Sequence, residues 1–552
     1  MDCAIIGGGV AGLYTGWRLL QDKRYRHVAV FELSDRLGGR LLTWLPYGKE
    51  GRLRAELGGM RFYREQQLVW SLIEHLGLTM TDFFTSGPNL IWYLRGLHTA
   101  AGDAHTATQR YLMNPDEQGK GPDDLLRRVI AVVLATAENQ HVIQHDLGGR
   151  QPQSRQDWDR IKPHLLYQGR PLWGFSFWNI MSDVLSYEAS QYTSDAYGYY
   201  SLLSNWNAAE AMQSITLKLA QNPAYKTLVE GFSQLPSRLG DLFQQAGGQV
   251  HLDSQLLWFE ADSHGLITFA LRDADGEAVG HARQLVLALP RWSLEQLRPS
   301  RSFDLQRDQE LKSLLDSVVT VPALKLFFLY DQRWWENLPH GGIVQGRSVS
   351  DLPIRQTYYF RPDASEAGAG PDYGLLMASY DDTRMVDYWK GMEGTLEEKI
   401  QDQKELHSEL ASVHLFLSGQ QGMAPAGTYH LPPNLYKAPP GMIEHARKQL
   451  ALLHSVTVQD IPEPLVAAYA DWSRAPFDGG WHLWRPQVNV EQVMQRMKRP
   501  LGKPHEVYIV GEAYSGVHGW VEGALTATEV ILQQEFKLTR PDWLPADYYL
   551  GW

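Results

Sequence analysis

The sequence predicts an α/β fold in which three separate segments of the chain build one parallel-sheet unit, interleaved with a mixed sheet and a helical insertion. Three observations predict it. A glycine-rich turn, Gly7-Gly8-Gly9-Val10-Ala11-Gly12, joins a short apolar run to a helical pattern at the start of the chain. Similar short apolar runs recur at 284–289 and 506–510, each followed at once by Pro or Gly. Between them, 123–212 has a mostly helical pattern without strand alternation, whereas 298–475 carries long strand candidates.

The first element is the run Cys3-Ala4-Ile5-Ile6, which leads into Gly7-x-Gly9-x-x-Gly12, with Leu13, Trp17 and Leu20 spaced for one helix face. In such a unit Gly7 allows the tight turn, Gly9 lets backbone approach a pyrophosphate, and Gly12 lets helix pack on strand. The helix start offers free N–H groups and a positive dipole end to phosphates. The next run, Val28-Ala29-Val30-Phe31, ends in Glu32, twenty residues past Gly12, where an acid should accept ribose hydroxyls. Strand, turn, helix, second strand and acid together predict a Rossmann-type dinucleotide site, with Gly7, Gly9, Ala11, Gly12 and Glu32 as contacts.

A helix follows at 66–76 and a short strand at 90–93. The helical stretch has loops at Gly148-Gly149 and Gln168-Gly169-Arg170-Pro171 and is read as a cap over the substrate site. Strands are expected at 249–252, 284–289, 323–330, 356–360, 375–380 and 466–472, and helices at 397–417 and 441–454. The last expected pair is a strand at 506–510 and a helix from Gly519 through Leu532.

Composition bounds the function. The chain has 552 residues, 44% of them hydrophobic and 21% charged, ordinary for a soluble globular protein of several domains. A formal net charge of −12 argues against nucleic acid and anionic membrane as partners. Cys3 is the only cysteine, which excludes an intramolecular disulfide and a thiolate metal site, and no Cys/His cluster has metal spacing. No signal peptide is visible before the first strand, and the apolar run at 129–137 is far too short to span a bilayer. The expectation is a soluble, cytoplasmic protein without a metal.

Lys325 is the oddest residue on physical grounds. It sits in Ala-Leu-Lys-Leu-Phe-Phe-Leu-Tyr, where a buried ammonium is costly, and Phe327 and Leu329 share its face. A solvent-facing strand residue is the alternative. Desolvation would depress its pKa.

Beyond Glu32 come Asp35-Arg36-Leu37-Gly38-Gly39-Arg40 and Glu56-Leu57-Gly58-Gly59-Met60-Arg61. These resemble the two arginine/glycine segments of flavin-dependent amine oxidases. Near the C-terminus, Gly511-Glu512-Ala513-Tyr514-Ser515 and His518-Gly519-Trp520-Val521-Glu522-Gly523 are similar to that family's last FAD segment. The segment 175–212, with Ser204-Asn205-Trp206-Asn207-Ala208-Ala209-Glu210, resembles bacterial L-amino-acid oxidases most. The resemblance spans nearly the whole chain and is weakest at about 98–160.

It implies the amine oxidase, glutathione-reductase-like flavoprotein fold. The FAD-binding domain would take 1–65, 225–297 and 500–552, the substrate domain 66–104 and 298–499, and the helical domain 105–224. It further implies FAD held by Gly39, Arg40, Gly59, Met60, Arg61, Leu256, Glu512, Trp520 and Val521 in addition to the residues of the first turn. Monoamine oxidases attach FAD through a cysteine near the C-terminus; this chain has none there, so FAD should be non-covalent. Lys325 matches the lysine that holds a water against the flavin. Arg61 matches an arginine that grips the substrate carboxylate; an arginine paired with a core acid such as Glu56 is the alternative. Tyr380 resembles the tyrosine that shares the carboxylate, subject to a one-residue slip. The carbonyl of Gly519 matches the acceptor for the substrate amine, and Trp481 and Trp520 match wall positions. Core packing rivals every tryptophan, because 19 cannot all be functional.

The activity implied is oxidation of an L-α-amino acid by dioxygen to a 2-oxo acid, ammonia and hydrogen peroxide. Trp481, Trp484 and neighbouring aromatics suit a long or bulky side chain, including a basic one through ring-face contacts. Rivals are an L-amino-acid 2-monooxygenase, an amine or polyamine oxidase, and a non-catalytic flavoprotein. The partners expected are the amino acid and dioxygen, with room for a homodimer.

Overall fold

The computed structural model describes residues 1–46, 53–221, 224–262, 264–360, 373–395 and 435–551, with positions 398, 401, 405 and 406. The helix expected at 397–417 lies outside the described residues apart from those single positions.

Five parallel strands form the first sheet, in the order Gln249–His251, Val28–Phe31, Cys3–Ile6, Gln284–Leu287 and Val507–Ile509. The apolar runs read as strands because both faces of this sheet are covered. Cys3, Ile5, Val28, Val30, Val286 and Tyr508 meet helices Val10–Leu20, Gln234–Gln245 and Val521–Gln534. Ala4, Ile6, Ala29, Phe31, Leu285 and Leu287 meet a three-stranded antiparallel layer, Gln255–Ala261, Ile267–Asp273 and Gly276–Ala282.

Helix Gln67–His75 sends Leu68, Val69, Leu72 and Ile73 into the same core as helix Val10–Leu20. Its first amides donate to the Glu522 carboxylate at 3.1 and 2.8 Å. The boundary read from sequence at 65/66 therefore cuts through a packed core. The reason is that the helix buries its apolar face inward rather than toward the substrate sheet.

Among the described residues the second sheet has eight strands, with Ala323–Tyr330 paired between Val466–Asp471 and Gly374–Asp382; Leu435–Lys437 lies outside Val466–Asp471, and Gln356–Phe360, Gly346–Ser350, Ile91–Leu94 and Leu97–Ala100 lie beyond Gly374–Asp382. One parallel pair makes it mixed. Every residue of Ala323–Tyr330 is buried. Leu324, Leu326 and Phe328 face helix Pro440–His454, while Phe327 and Leu329 face Leu42, Leu57 and Met60. Helices between Ala104 and Gln221 form a third core, which also takes in Trp92 and Val349 from the edge of that sheet. Within residues 168–171, read as loop in that insertion, Arg170–Pro171 pairs antiparallel with Leu166–Tyr167. Among the described residues no helix is long and apolar enough to cross a membrane.

Candidate active site

Gly7 has φ +106°, and a Cβ there would meet the Ala288 carbonyl oxygen at 2.5 Å. Gly12 carries the helix onto the strand so closely that a Cβ would lie 2.0 Å from the Gly7 carbonyl oxygen. Gly9 caps helix Val10–Leu20 without any side-chain bond, and a Cβ on it would find only the Gly39 Cα, at 3.9 Å. The first turn thus presents bare backbone and unsatisfied N–H groups to a cavity. Glu32 hangs over the same cavity, its carboxylate receiving Gly8 N at 2.6 Å and Ser34 N at 2.9 Å.

The cavity runs from Glu32 and Leu256, past the glycines and Arg40, to Lys325, Tyr380, Trp481 and Trp520. Leu256 reaches it beside a bulge in its strand. At the far side, helix Val521–Gln534 starts from Trp520, again without a side-chain cap, and Val521 and Ala524 line the wall. Two open helix starts, a glycine cradle and an acid at one end fit an elongated dinucleotide with a central pyrophosphate.

Arg40 and Glu512 meet across this cavity at 2.9 Å. Arg40 Nη1 also donates to the Gly480 carbonyl at 3.0 Å. Glu512 accepts from His482 Nδ1 at 2.8 Å and from the amides of His482 and Gly519 at 3.0 and 2.9 Å. Burial alone would raise its carboxyl, but Arg40 and His482 hold it well below the usual carboxylate range. Arg40, expected on a phosphate, is therefore also half of an internal ion pair.

Lys325 donates from Nζ to the carbonyls of Glu56 and Gly58 at 2.8 and 2.6 Å, with Met60 Sδ at 3.5 Å and the Tyr380 ring centroid at 4.9 Å. Burial, with a further push from Arg61, lowers its pKa to about 7. The solvent-facing alternative fails, since the residue is 3% exposed.

A family model described as flavin containing amine oxidoreductase matches residues 10–407. The chain belongs to this family. Aplysianin-A of Aplysia kurodai is 25% identical over 97% of this chain and 90% of its own length. An L-amino-acid oxidase of Bungarus fasciatus is 23% identical over 64% of this chain and 62% of its own. Among solved structures, wild-type putrescine oxidase bound to putrescine superposes with TM-score 0.61 at 16% identity, covering 96% of this chain and 98% of that one.

The protein is thus an FAD-dependent oxidoreductase of amines. Of the residues predicted to hold FAD or substrate, Gly7, Gly9, Ala11, Glu32, Gly39, Arg40, Gly59, Leu256, Lys325, Tyr380, Trp481, Glu512, Gly519, Trp520 and Val521 line the one elongated cavity. Gly12, Met60 and Arg61 do not. Gly12 is under the helix, and Met60 turns its sulfur onto Lys325. Arg61 lies next to that lining: its guanidinium is 4.3 Å from the Tyr225 ring, which stacks at 6.3 Å and 8° on Trp520. Trp484, read as a pocket residue, is core; it is 1% exposed and its Nε1 donates to the Ser515 carbonyl at 3.0 Å.

Sequence reasoning missed the aromatic enclosure of Arg61. Tyr358 accepts from Arg61 Nη1 at 3.2 Å, and the Phe83 ring lies 5.5 Å away. Tyr199, from the helical insertion, sets its ring edge-on to Tyr380 at 5.7 Å. The paired tyrosines in Gln356-Thr357-Tyr358-Tyr359-Phe360 could have pointed there, as an aromatic-rich central strand beside the Tyr380 strand.

Proposed function

We propose that this oxidoreductase acts on L-α-amino acids, with Arg61 holding the substrate carboxylate. One observation carries the reading: Arg61 is ringed by Tyr225, Phe83 and Tyr358, and no carboxylate among the described residues pairs with it. The candidate core acid is engaged elsewhere, since Glu56 receives Thr43 Oγ1 at 2.9 Å and the Phe232 amide at 2.8 Å. A guanidinium desolvated by rings and lacking a counter-ion favours a planar bidentate anion. Similarity to a protein named L-amino-acid oxidase supports the same reading.

FAD, when bound, supplies the two-electron acceptor that dioxygen restores. The chain's own residues position and desolvate. Arg61 and Tyr358 would fix the carboxylate, and Tyr380 and Trp520 would wall the reacting carbon from water. The Gly519 amide is tied to Glu512, which fixes the peptide whose carbonyl would accept from the substrate amine. Lys325, with a pKa near neutrality, can hold or release a proton at Nζ beside Tyr380.

The test pairs an L-amino acid with its decarboxylated amine. Wild type should release peroxide from the amino acid, forming 2-oxo acid in equal amount, and discriminate strongly against the amine. Arg61→Met removes a desolvated charged pair worth about 2–5 kcal/mol, so kcat/KM should fall at least ~30-fold at ~1.4 kcal/mol per tenfold. Equal oxidation of amine and amino acid by wild type would make Arg61 structural and the enzyme an amine oxidase. An amide product in place of the 2-oxo acid would make it a monooxygenase.

A further inference from the structure

Three cations gather near Tyr380 without an ion-pair partner among the described residues. Arg61 Nη1 donates to Tyr358 Oη at 3.2 Å, and that hydroxyl donates to Gln356 Oε1 at 3.3 Å. Gln356 Oε1 also accepts from Arg347 Nη1 at 2.9 Å, and the same nitrogen reaches the Tyr197 carbonyl at 3.4 Å. Lys218 Nζ stands 4.7 Å over the Tyr197 ring. The chain of contacts thus runs from Arg61 to Lys218 across strand Gly346–Ser350 and the helices Tyr187–Tyr197 and Ala208–Gln221.

From this arrangement we infer that the substrate carries a second carboxylate on its side chain, received by Lys218 and Arg347 while Arg61 holds the α-carboxylate. The inference rests on the L-amino-acid oxidase reading and names its substrate class.

Elsewhere in this protein the buried Arg18 is closed by Glu529 and the buried Arg355 by Asp195. Here no carboxylate closes an ion pair among the described residues. Asp123 is the carboxylate whose charge reaches Lys218, and it receives the Tyr197 hydroxyl at 2.7 Å. Three cations against one carboxylate, in a chain of net charge −12, make a local positive field that attracts anions. Lys218 is solvent-exposed, yet the surrounding protein, with Arg347 and Arg61, pushes its pKa down to about 7. A carboxylate there would relieve the repulsion among the three. A basic side chain, which the aromatic residues alone allow, would add to it.

The cluster adjoins the cavity at two points. Tyr199 packs edge-on against Tyr380 at 5.7 Å, and Tyr225 carries Arg61 on one ring and Trp520 beside it. Both Tyr380 and Trp520 line the cavity wall.

The test compares peroxide release from L-glutamate and L-aspartate with release from L-glutamine and L-asparagine, amides of nearly equal shape, and from L-lysine. The better diacid should exceed its own amide in kcat/KM by at least ~30-fold, the scale of a desolvated charge pair. Lys218→Met and Arg347→Met should each narrow that ratio by about tenfold, and Lys218→Arg should restore it. Amides or L-lysine oxidised as well as the diacids by wild type would overturn the inference and leave the L-amino-acid oxidase reading standing. Peroxide from decarboxylated amines and from no L-amino acid would overturn both.

Discussion

At the scale of single residues, the candidate site turns on two charges placed where water is scarce. Lys325 is hydrogen-bonded to two carbonyls, and burial outweighs the opposing pull of the Glu56 charge, so its pKa falls to about 7. Unfolded, the group titrates near 10.5. Between about 7 and 10.5 the unfolded chain therefore binds the proton and the folded chain does not, so this group makes stability rise with pH across that window. Lys325→Met removes the titration. The variant's Tm relative to wild type should be highest near pH 6 and decline toward pH 10; a difference that stays flat with pH would mean Lys325 is not desolvated. The same variant should bind FAD and turn over slowly, which rapid mixing against substrate and dioxygen separately would resolve. Wild-type rates in both half-reactions would remove Lys325 from the chemistry. Lys325 was legible as an anomaly, a charge in an apolar run, and Arg61 through the family resemblance of Gly58-Gly59-Met60-Arg61. Their surroundings were not. Tyr358 lies 297 positions from Arg61, and no local pattern links them.

At the scale of elements, the first strand, turn and helix were legible because their constraints are local. Gly12 is the sharpest example, since its missing side chain is what lets helix Val10–Leu20 rest on the Gly7 carbonyl. Gly12→Ala should push the helix off the strand, at an overpacking cost of about 1–3 kcal/mol, and should lower FAD content, read as the flavin-to-protein absorbance ratio after gel filtration. Full occupancy with wild-type Tm would show that the turn tolerates the methyl. Strand Ala323–Tyr330 was legible in extent, yet nothing in its composition separates its faces, because both are buried. The strands Gly346–Ser350 and Leu97–Ala100 and the layer at 255–282 carry mixed or polar residues and emerge only through pairing with neighbours.

At the scale of the whole molecule, one long cavity joins residues from both ends of the chain. Gly9 and Glu512 both line it, and Glu512 is tied to Arg40 in the same lining. Cys3 is fully buried in the first strand with its thiol pKa raised by burial. No other cysteine exists in the sequence to form a thioether to the flavin. Acid precipitation should accordingly release the yellow chromophore into the supernatant. Colour retained in the pellet would mean a covalent bond through another residue.

By itself the sequence determined the family, the cofactor and the glycine-rich part of the cavity wall, because dinucleotide binding depends on short glycine segments whose spacing is fixed by backbone geometry. It also singled out Lys325 as a charge in an apolar run and Arg61 by family resemblance. Only the tertiary structure decided how those charges are answered. It put Met60, Trp484 and helix Gln67–His75 into cores and paired Arg40 with Glu512. It also brought Tyr199, Tyr225 and Tyr358 around Arg61, with Arg347 and Lys218 beyond. The physical reason is that electrostatics and desolvation are set by neighbours in space. Here those neighbours come from two sheets and a helical insertion whose contacts no sequence interval records.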